Sequence, residues 1–312
     1  MSQQIQMNHQ KVLKVADAYD LFIRKCRVKN LSDATIQSYN TKIKPFIDYC
    51  NGGNIVSVTI DTVDGFTDML KTEHHVNDVS VVSYLRSVRA FLYYCMECNY
   101  MTSFKIHLPK ADKAIKEIYT DEQLEKLLEK PDTNNCSFTE YKTWVFENYM
   151  IATGNRLSTA LNVHIKDLDF SNGVIYLRKT KSRKQQIIPF SASLQEVLEE
   201  YLQIRGGQPD DYLFCNNYGG QASNRTWQTL VYRYNIKRGV DCTSIHAFRH
   251  SFARLWIINH GDLMRLKTIL GHSNIAVTNE YLQMFGQDLQ MDFEKYNPLD
   301  NMKNKNREQI RM

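Results

Sequence analysis

Six side chains in four separate stretches of the sequence are of the types needed to break and remake a phosphodiester bond. In the last stretch a tyrosine follows a histidine by nine positions. A tyrosine hydroxyl, with a free pKa of about 10, is a good nucleophile only beside positive charge. The six residues are Arg156 in "ATGNRLS", Lys181 in "RKTKSRK", His246 and Arg249 in "IHAFRHSF", and His272 and Tyr281 in "LGHSNIAVTNEYL".

These residue types suit phosphoryl transfer without a metal ion. Two arginines can bind the non-bridging phosphate oxygens with paired N–H groups and spread the charge of the transition state. One histidine can handle the proton of the nucleophile, another can donate to a phosphate oxygen, and a lysine can protonate the departing alkoxide. An aryl ester on Tyr281 would store the energy of the broken bond, so that the strand can be rejoined without ATP. We therefore expect no cofactor and no metal.

Each residue taken alone also has an ordinary structural interpretation. Arg156 could be a surface arginine at a helix start, His272 could cap a helix, and Tyr281 could fill a core. The order and number of the motifs favour the chemical interpretation over three separate structural ones.

A zinc site is the alternative for the third stretch. His246 and His250 are spaced i, i+4 on one helical face, as in a zinc pair. However, Ala247 stands where H-E-x-x-H has glutamate, and Arg249 would place a cation beside the ion. The pattern therefore favours phosphate over zinc.

Hydrophobic spacing divides the chain into two domains. We predict a helical domain over residues 1–108, a Lys-rich linker over 109–117, a second domain over 118–298 and a polar tail over 299–312. Two β-branched segments, "GVIYLRK" and "QQIIPF", flank the basic turn and predict a hairpin. The fold is therefore expected to be mainly α with a small antiparallel β-sheet.

Capping residues mark several helix boundaries. Ser32 or Asp33, Asn77 or Asp78, Thr120 and Ser223 precede helical patterns as N-caps. Gly154 is expected to end a buried helix and to start a new one.

Composition narrows the class of protein. The 312 residues are 43% hydrophobic and 23% charged, which is typical of a globular chain. No apolar run approaches the roughly 20 residues that span a bilayer, and the first ten residues lack the apolar stretch of a signal peptide. We therefore expect a cytoplasmic protein without membrane contact. Seven cysteines show no disulfide framework, and the pair Cys95 and Cys98 has no second pair to complete a zinc site.

Positive charge is concentrated in one turn. The net charge is +5, and five of the seven residues at 178–184 are basic. Such a run is either a solvated face or a contact with a polyanion.

Together the motifs resemble those of the tyrosine recombinase (phage integrase) family, in the two-domain form of the Xer recombinases. "ATGNR" is similar to the family's T-G-x-R, "HAFRHSF" to H-x-L-R-H, and "LGHSNIAVTNEY" to L-G-H followed nine residues later by tyrosine. "TKSRKQQIIPF" resembles the strand-turn-strand that carries the family's lysine. Lys179 and Lys184 share this turn, and we select Lys181 from its position relative to "IIPF". The resemblance covers nearly the whole chain.

The sequence departs from the family pattern at two positions. Thr159 stands where many relatives have glutamate, and Phe248 where the motif usually has leucine. Neither is a catalytic side chain, so we expect altered packing with the chemistry retained.

The resemblance implies a helical, SAM-like core-binding domain followed by an α+β catalytic domain. It implies a site-specific DNA recombinase of the integrase or transposase type, in which Tyr281 forms a 3′-phosphotyrosyl link and frees a 5′-hydroxyl. It further implies two domains clamped around double-stranded DNA, a homotetramer at synapsis, and a C-terminal segment exchanged between subunits. Such an enzyme acts in the bacterial cytoplasm, at the nucleoid. Integration, excision, transposition and chromosome dimer resolution all remain open.

Polar side chains on several predicted helices are candidates for DNA contact. The segment 223–238 is expected to form a helix whose counterpart in relatives lies in the major groove. For each candidate, a solvated polar face is the alternative. The candidates are Thr35, Ser38, Lys42, Ser83, Arg86, Arg183, Asn224, Arg225 and Gln228.

Two other functions use the same features. A type IB topoisomerase shares the chemistry but reseals the same strand, and the Xer-like helical first domain argues against it. A non-catalytic DNA-binding protein on the same scaffold would not need all six catalytic residues.

Overall fold

The computed structural model describes residues 13–111, 117–180, 184–216, 218–272, 274, 278, 281 and 297–299. The chain divides into two compact units, residues 1–114 and 115–312, which we call the N-terminal unit and the C-terminal unit. The predicted linker bounds stay a prediction, because residues 112–116 lie outside the described ones. None of the helices in the described ranges combines the length and apolar character required to cross a bilayer.

The N-terminal unit consists of helices around an apolar core. They are α1 (Val15–Val28), α2 (Asp33–Tyr49), α3 (Ile60–Thr72) and α4 (Asp78–Glu97), with a 3-10 turn at Ile55–Ser57. Ser32 Oγ and Asn77 Oδ1 each accept from the backbone N–H three residues on, at 3.3 and 2.8 Å, and so cap α2 and α4. In the core, the ring of Phe46 lies edge-on to that of Phe66 at 5.2 Å. Local capping and apolar spacing thus account for this unit.

Helix α3 lies within the predicted helical domain and has a glycine in its interior. Gly65 lies in its middle, and glycine costs a helix interior roughly 1 kcal/mol relative to alanine. The hydroxyl of Tyr49 occupies the place where a Cβ at Gly65 would lie. Close packing from α2 therefore explains a residue that weakens the local helix signal.

The C-terminal unit is built around α6, which contacts α5, α8, α9 and α10. Its helices are α5 (Asp121–Leu128), α6 (Phe138–Thr153), α7 (Leu157–Ala160), α8 (Ala192–Arg205), α9 (Asn224–Lys237), α10 (Ile245–Ile258) and α11 (Leu263–Leu270). Phe146 of α6 stacks on Trp227 of α9, with ring centroids 4.2 Å apart. Thr120 and Ser223 cap α5 and α9, as predicted from the sequence.

A small antiparallel sheet lies beside these helices. Its strands are β1 (Leu168–Asp169), β2 (Val174–Leu177) and β3 (Gln186–Pro189), in the order β1-β2-β3. Ile175 of β2 is paired with Ile188 of β3, and both side chains are buried in the core. The predicted hairpin and the mainly α fold are confirmed, and β1 is an additional short strand.

Candidate active site

The "ATGNR" stretch forms a tight turn between α6 and α7. Gly154 ends α6 in the left-handed conformation, with φ of 59°, which glycine adopts without strain. A Cβ at this position would come within 2.9 Å of Leu270 Cδ2 and still closer to the ring of Phe252. The turn leaves Arg156 at the start of α7, as its N-cap residue.

Arg249 of α10 is the centre of the site. Its side chain is only 5% exposed. Nη1 donates to the carbonyl of Gly154 at 2.8 Å, and Nη2 donates to the carbonyl of Leu270 at 2.8 Å. These contacts join α10 to the end of α6 and to the end of α11. With five N–H groups, a guanidinium can keep such anchors and still donate to a phosphate oxygen.

Arg156 lies beside Arg249. Its Nη1 contacts the same Leu270 carbonyl at 3.4 Å. Burial and the charge of Arg156 lower the pKa of Arg249 to about 10, while the Tyr281 hydroxyl acts in the opposite direction. Among the described residues no ion pair joins either arginine to a carboxylate. Two neighbouring cations without a carboxylate form a site that favours an incoming anion.

The structure fixes the tautomer of His272. Its Nε2 lies 2.7 Å from Arg249 Nη2 and its Nδ1 lies 2.9 Å from Thr278 Oγ1. A guanidinium can only donate, so Nε2 accepts and Nδ1 carries the proton in this state. His272 therefore orients Arg249.

The loop that carries His272 is tied to the sheet. Gly271 ends α11 in the left-handed conformation, and a Cβ there would come within 2.7 Å of Gln186 Oε1. Gln186 Nε2 donates to the carbonyls of Ile269, at 2.8 Å, and Thr268. The first residue of β3 thus holds the end of α11, directly before His272.

Tyr281 is buried among the basic side chains, with 2% of its surface exposed. Its hydroxyl lies 3.1 Å from His250 Nδ1. Its ring is nearly parallel to that of His272, at 6° and with centroids 6.1 Å apart. The structure thus brings together Arg156, Arg249, His272 and Tyr281.

His250 is the residue of the site that the sequence did not assign to phosphate chemistry. It entered only as half of a zinc pair, although it directly follows Arg249 in "HAFRHSF". Its place after the arginine and the family's H-x-L-R-H pattern were the available signals. His246 lies one turn earlier on α10 with an exposed side chain.

The basic turn belongs to the sheet hairpin. Arg178, after β2, donates from Nε to the buried carboxylate of Asp167 at 2.6 Å. Thr180 Oγ1 donates to the carbonyl of Lys184 at 2.6 Å and closes the turn. Lys181 and Arg183 lie outside the described residues.

The two departures from the family motifs lie in the interior. Thr159 is buried on α7, and its N–H donates to the carbonyl of Arg156. Phe248 is fully buried, with its ring centroid 4.4 Å from that of Tyr119. The larger side chain at 248 is therefore part of the core.

The candidates for DNA contact lie on two surfaces, one in each unit. On α9, Asn224, Arg225 and Gln228 are exposed, while Trp227 is buried. In the N-terminal unit the candidates are on α2 and α4, where Thr35, Ser38, Lys42 and Ser83 are half-buried and Arg86 is exposed. Lys42 Nζ donates to Ser83 Oγ at 2.6 Å, a pairing that was not predicted.

Comparison with known families gives two matches along the chain. Residues 117–287, more than half of the chain, match the model of the phage integrase family. Residues 19–97 match that of the phage integrase N-terminal SAM-like domain.

Individual relatives are similar to this chain over most of its length. The chain is 26% identical over 298 residues to a protein named tyrosine recombinase XerC from Oceanobacillus iheyensis, covering 90% of this chain and 96% of that one. It is similar in fold to the Tn1549 transposon integrase in complex with transposon right end DNA, with a TM-score of 0.72 and 22% identity, over 86% and 94% of the two chains. It is also similar to a lambda integrase solved as a tetramer bound to a Holliday junction, with a TM-score of 0.70 and 14% identity, over 87% and 78%.

Proposed function

The chain belongs to the phage integrase family, and from that premise we propose that it is a site-specific DNA recombinase that works through a 3′-phosphotyrosyl intermediate. One observation carries the proposal. The Tyr281 hydroxyl is buried beside Arg249, with Arg156 and His272 around it and no carboxylate paired to either arginine among the described residues. A tyrosine among such cations is an activated nucleophile.

The arginines bind the scissile phosphate. Their N–H groups donate to the non-bridging oxygens and stabilise the charge that gathers there in the pentacoordinate transition state. Because both guanidinium groups already share the Leu270 carbonyl, little reorganisation is needed when the phosphate arrives. In this mechanism the arginines do the work that a metal ion does in other phosphoryl-transfer enzymes.

The reaction is a transesterification in two directions. Tyr281 Oη gives its proton to a neighbouring histidine and bonds to phosphorus, the bond to the 5′-oxygen breaks, and that oxygen takes a proton from Lys181. A 5′-hydroxyl from the partner strand then gives its proton to Lys181 and attacks the phosphotyrosyl bond, and Tyr281 leaves with the electron pair and regains its proton from the histidine. The number of phosphodiester bonds is unchanged, so no ATP is consumed. His246 donates to a phosphate oxygen, and His272 accepts from Arg249 and so keeps it in place.

Double-stranded DNA is the partner. The exposed face of α9 with Arg225 and the α2–α4 surface with Lys42 supply the contacts outside the active site. A homotetramer forms at synapsis and exchanges C-terminal segments. The lambda integrase solved as a tetramer bound to a Holliday junction supports the tetrameric state alone.

Replacing Tyr281 by phenylalanine tests the chemistry. Tyr281→Phe removes only the hydroxyl, so the protein should fold and bind DNA but form no covalent adduct. Genomic DNA fragments that the parent protein traps covalently supply the substrate. This DNA is nicked beside the scissile phosphate, and formation of the covalent adduct is followed on a denaturing gel. Tyr218→Phe is the matched control, since Tyr218 is 96% exposed, and its adduct should equal that of the parent.

Two outcomes would overturn the proposal. Adduct formation by Tyr281→Phe would show that another residue is the nucleophile. Relaxation of supercoiled DNA by the parent without joining of two sites would identify a type IB topoisomerase instead.

A further inference from the structure

The last turn of α11 presents four carbonyl groups that no N–H within the helix can reach. They are the carbonyls of Lys267, Thr268, Ile269 and Leu270. The backbone N–H groups of His272 and Gly271 donate to the first two, at 3.1 and 3.0 Å. The last two carbonyls accept from side chains on other elements, and these donors come from two parts of the site.

Gln186, the first residue of β3, supplies one set of donors. Its Nε2 donates to the carbonyl of Ile269 at 2.8 Å and also to that of Thr268. Its backbone is held in place by pairing with Leu177 of β2. Among the residues that the structure describes, Gln186 is the one whose side chain donates to the Ile269 carbonyl.

The two arginines of the active site supply the other set. The carbonyl of Leu270 accepts from Arg249 Nη2 at 2.8 Å and from Arg156 Nη1 at 3.4 Å. Carbonyls at the C-terminal end of a helix carry a partial negative charge and therefore attract cations. Gln186 and the two guanidinium groups thus divide one helix end between them.

This division matters because the donors can compete. A carbonyl that has lost its partner draws in another donor, since an unpaired polar group is costly. If Gln186 did not bind Ile269, the guanidinium groups already held at the adjacent residue could donate there instead. An N–H drawn to that carbonyl is lost to the phosphate, and the planar fork turns with it.

We propose that Gln186 is a positioning residue for strand cleavage, an assignment that rests on the proposed recombinase function. By occupying the carbonyls of Thr268 and Ile269, it restricts both arginines at this helix end to the carbonyl of Leu270. Their remaining N–H groups then stay directed at the scissile phosphate. Gly271 leaves room for this contact, because a Cβ there would come within 2.7 Å of Gln186 Oε1.

Replacing Gln186 by methionine removes the donors and keeps the length of the side chain. Single-turnover adduct formation on the nicked substrate should fall by about 10²-fold, as for a displacement of about 1 Å at a reacting group. The Kd for DNA should rise by less than about threefold, because the charge of both arginines is retained.

A second substrate shows whether the arginines transmit this loss. A methylphosphonate at the scissile position has a methyl group in place of one non-bridging oxygen, so it is uncharged and depends less on two guanidinium groups. The ratio of parent to Gln186→Met rates should shrink to below about tenfold on this substrate. A residue that only stabilises the helix end would slow the reaction of both substrates equally.

Gln186→Glu separates positioning from stability. The glutamate keeps the shape but accepts instead of donating, so it should pair with the arginines and draw them from the phosphate. Adduct formation should fall further than in Gln186→Met, although the free energy of unfolding, followed by tryptophan fluorescence, is at least as high. If only capping mattered, the rates of the two variants would follow their stabilities.

Gln195→Met is the matched control. Gln195 is half-buried on α8, where its Nε2 donates to Glu199 Oε1 at 2.8 Å. This variant loses a glutamine donor away from α11, so it should form adduct at the parent rate on both substrates.

The assignment is wrong if Gln186→Met forms adduct at the parent rate, if its loss is equal on both substrates, or if Gln186→Glu is the faster variant. It is also wrong if the loss disappears on DNA whose 5′-bridging oxygen is replaced by sulfur, because Gln186 would then act through the general acid. Each of these results leaves the adduct of the parent intact and does not touch the proposed function. That function fails only if the parent forms no Tyr281-dependent adduct.

Discussion

The two units differ in how many polar side chains they bury. In the N-terminal unit, Ser87 is the one buried polar side chain among the described residues, if tyrosine and cysteine are set aside. The C-terminal unit buries twelve such side chains under the same condition. Several surround the active site, namely Thr153, Asn155, Thr159, Arg249, His272 and Thr278.

This difference indicates where each unit carries its function. An apolar core stabilises without restricting what the surface binds, so the DNA contacts that we propose for the N-terminal unit can lie on the outside of α2 and α4. In the C-terminal unit the donors proposed to act on a phosphate are held in the buried interior, where electrostatic interactions are strong. Such groups lower stability unless each is hydrogen-bonded, as Arg249 is to two carbonyls and a histidine.

The largest effect is expected at the buried arginine. Arg249→Lys keeps a positive charge but loses the planar fork that spans the Gly154 and Leu270 carbonyls. Cleavage of nicked DNA should fall by about 10²–10³-fold, as for loss of a transition-state donor, while the Kd for DNA rises by less than about tenfold. Adduct rates and fluorescence anisotropy measure the two quantities.

Arg86→Lys provides the matched comparison on the surface of α4. Arg86 is exposed, so its replacement should lower affinity and cleavage together and by less than about tenfold. If Arg249→Lys also lowers both equally, Arg249 is a general phosphate contact and the contrast between the units is lost.

Much of this fold could be predicted from signals within short stretches of the sequence. The features that could not be predicted depend on contacts between residues that are far apart in the sequence. Side-chain caps act within four residues, so Ser32, Asn77, Thr120 and Ser223 could be recognised from the sequence alone. The sequence does not explain why Gly65 stands inside α3, because the reason is its close contact with Tyr49 of another helix. The mainly α fold with its hairpin followed from periodicity and turn residues.

The candidate site likewise combines features that the sequence predicts with features that depend on long-range contacts. The motifs identified Tyr281, Arg156 and Arg249 as candidates, because the types of these residues restrict the chemistry that they can carry out. The contact of His250 with Tyr281 joins two residues that are 31 positions apart in the chain, and no local pattern encodes it. The pairing of Lys42 with Ser83 likewise depends on the packing of α2 against α4.

Glu147 on α6 is a buried polar group that the active site does not use. Both carboxylate oxygens are buried, and no residue that the structure describes forms a hydrogen bond with them. Burial raises the pKa of Glu147 well above its usual value, so the folded state binds the proton more tightly than the unfolded state does. By linkage, stability is greatest below the unfolded pKa and falls as the pH rises towards the folded pKa.

Removing this carboxylate should stabilise the C-terminal unit. At pH 8, Glu147→Met should raise the free energy of unfolding by roughly 1–3 kcal/mol, the usual cost of a buried unsatisfied group. The gain should shrink towards pH 5, because keeping the buried carboxyl of the parent protonated costs less free energy as the pH falls. The three tryptophans, Trp144, Trp227 and Trp256, lie in this unit, so their fluorescence follows its unfolding selectively.

Glu147→Gln is the control that removes the charge but keeps a polar group. It should show the same loss of pH dependence with a smaller gain in stability. A gain from Glu147→Met that is equal at pH 5 and pH 8 would contradict the linkage argument.

The smallest effect is expected at Ser87, the buried polar residue of the N-terminal unit. Its Oγ donates at 3.3 Å to the carbonyl of Ser83, one turn earlier in α4, which already lies within the helix. Alanine loses this weak bond but has the higher helix propensity, so Ser87→Ala should change the free energy of unfolding by less than about 0.5 kcal/mol. Hydrogen exchange of the α4 amides measures this locally, because the N-terminal unit contains no tryptophan. A loss above roughly 1.5 kcal/mol would mean that this core also depends on a buried polar contact, as the C-terminal unit does.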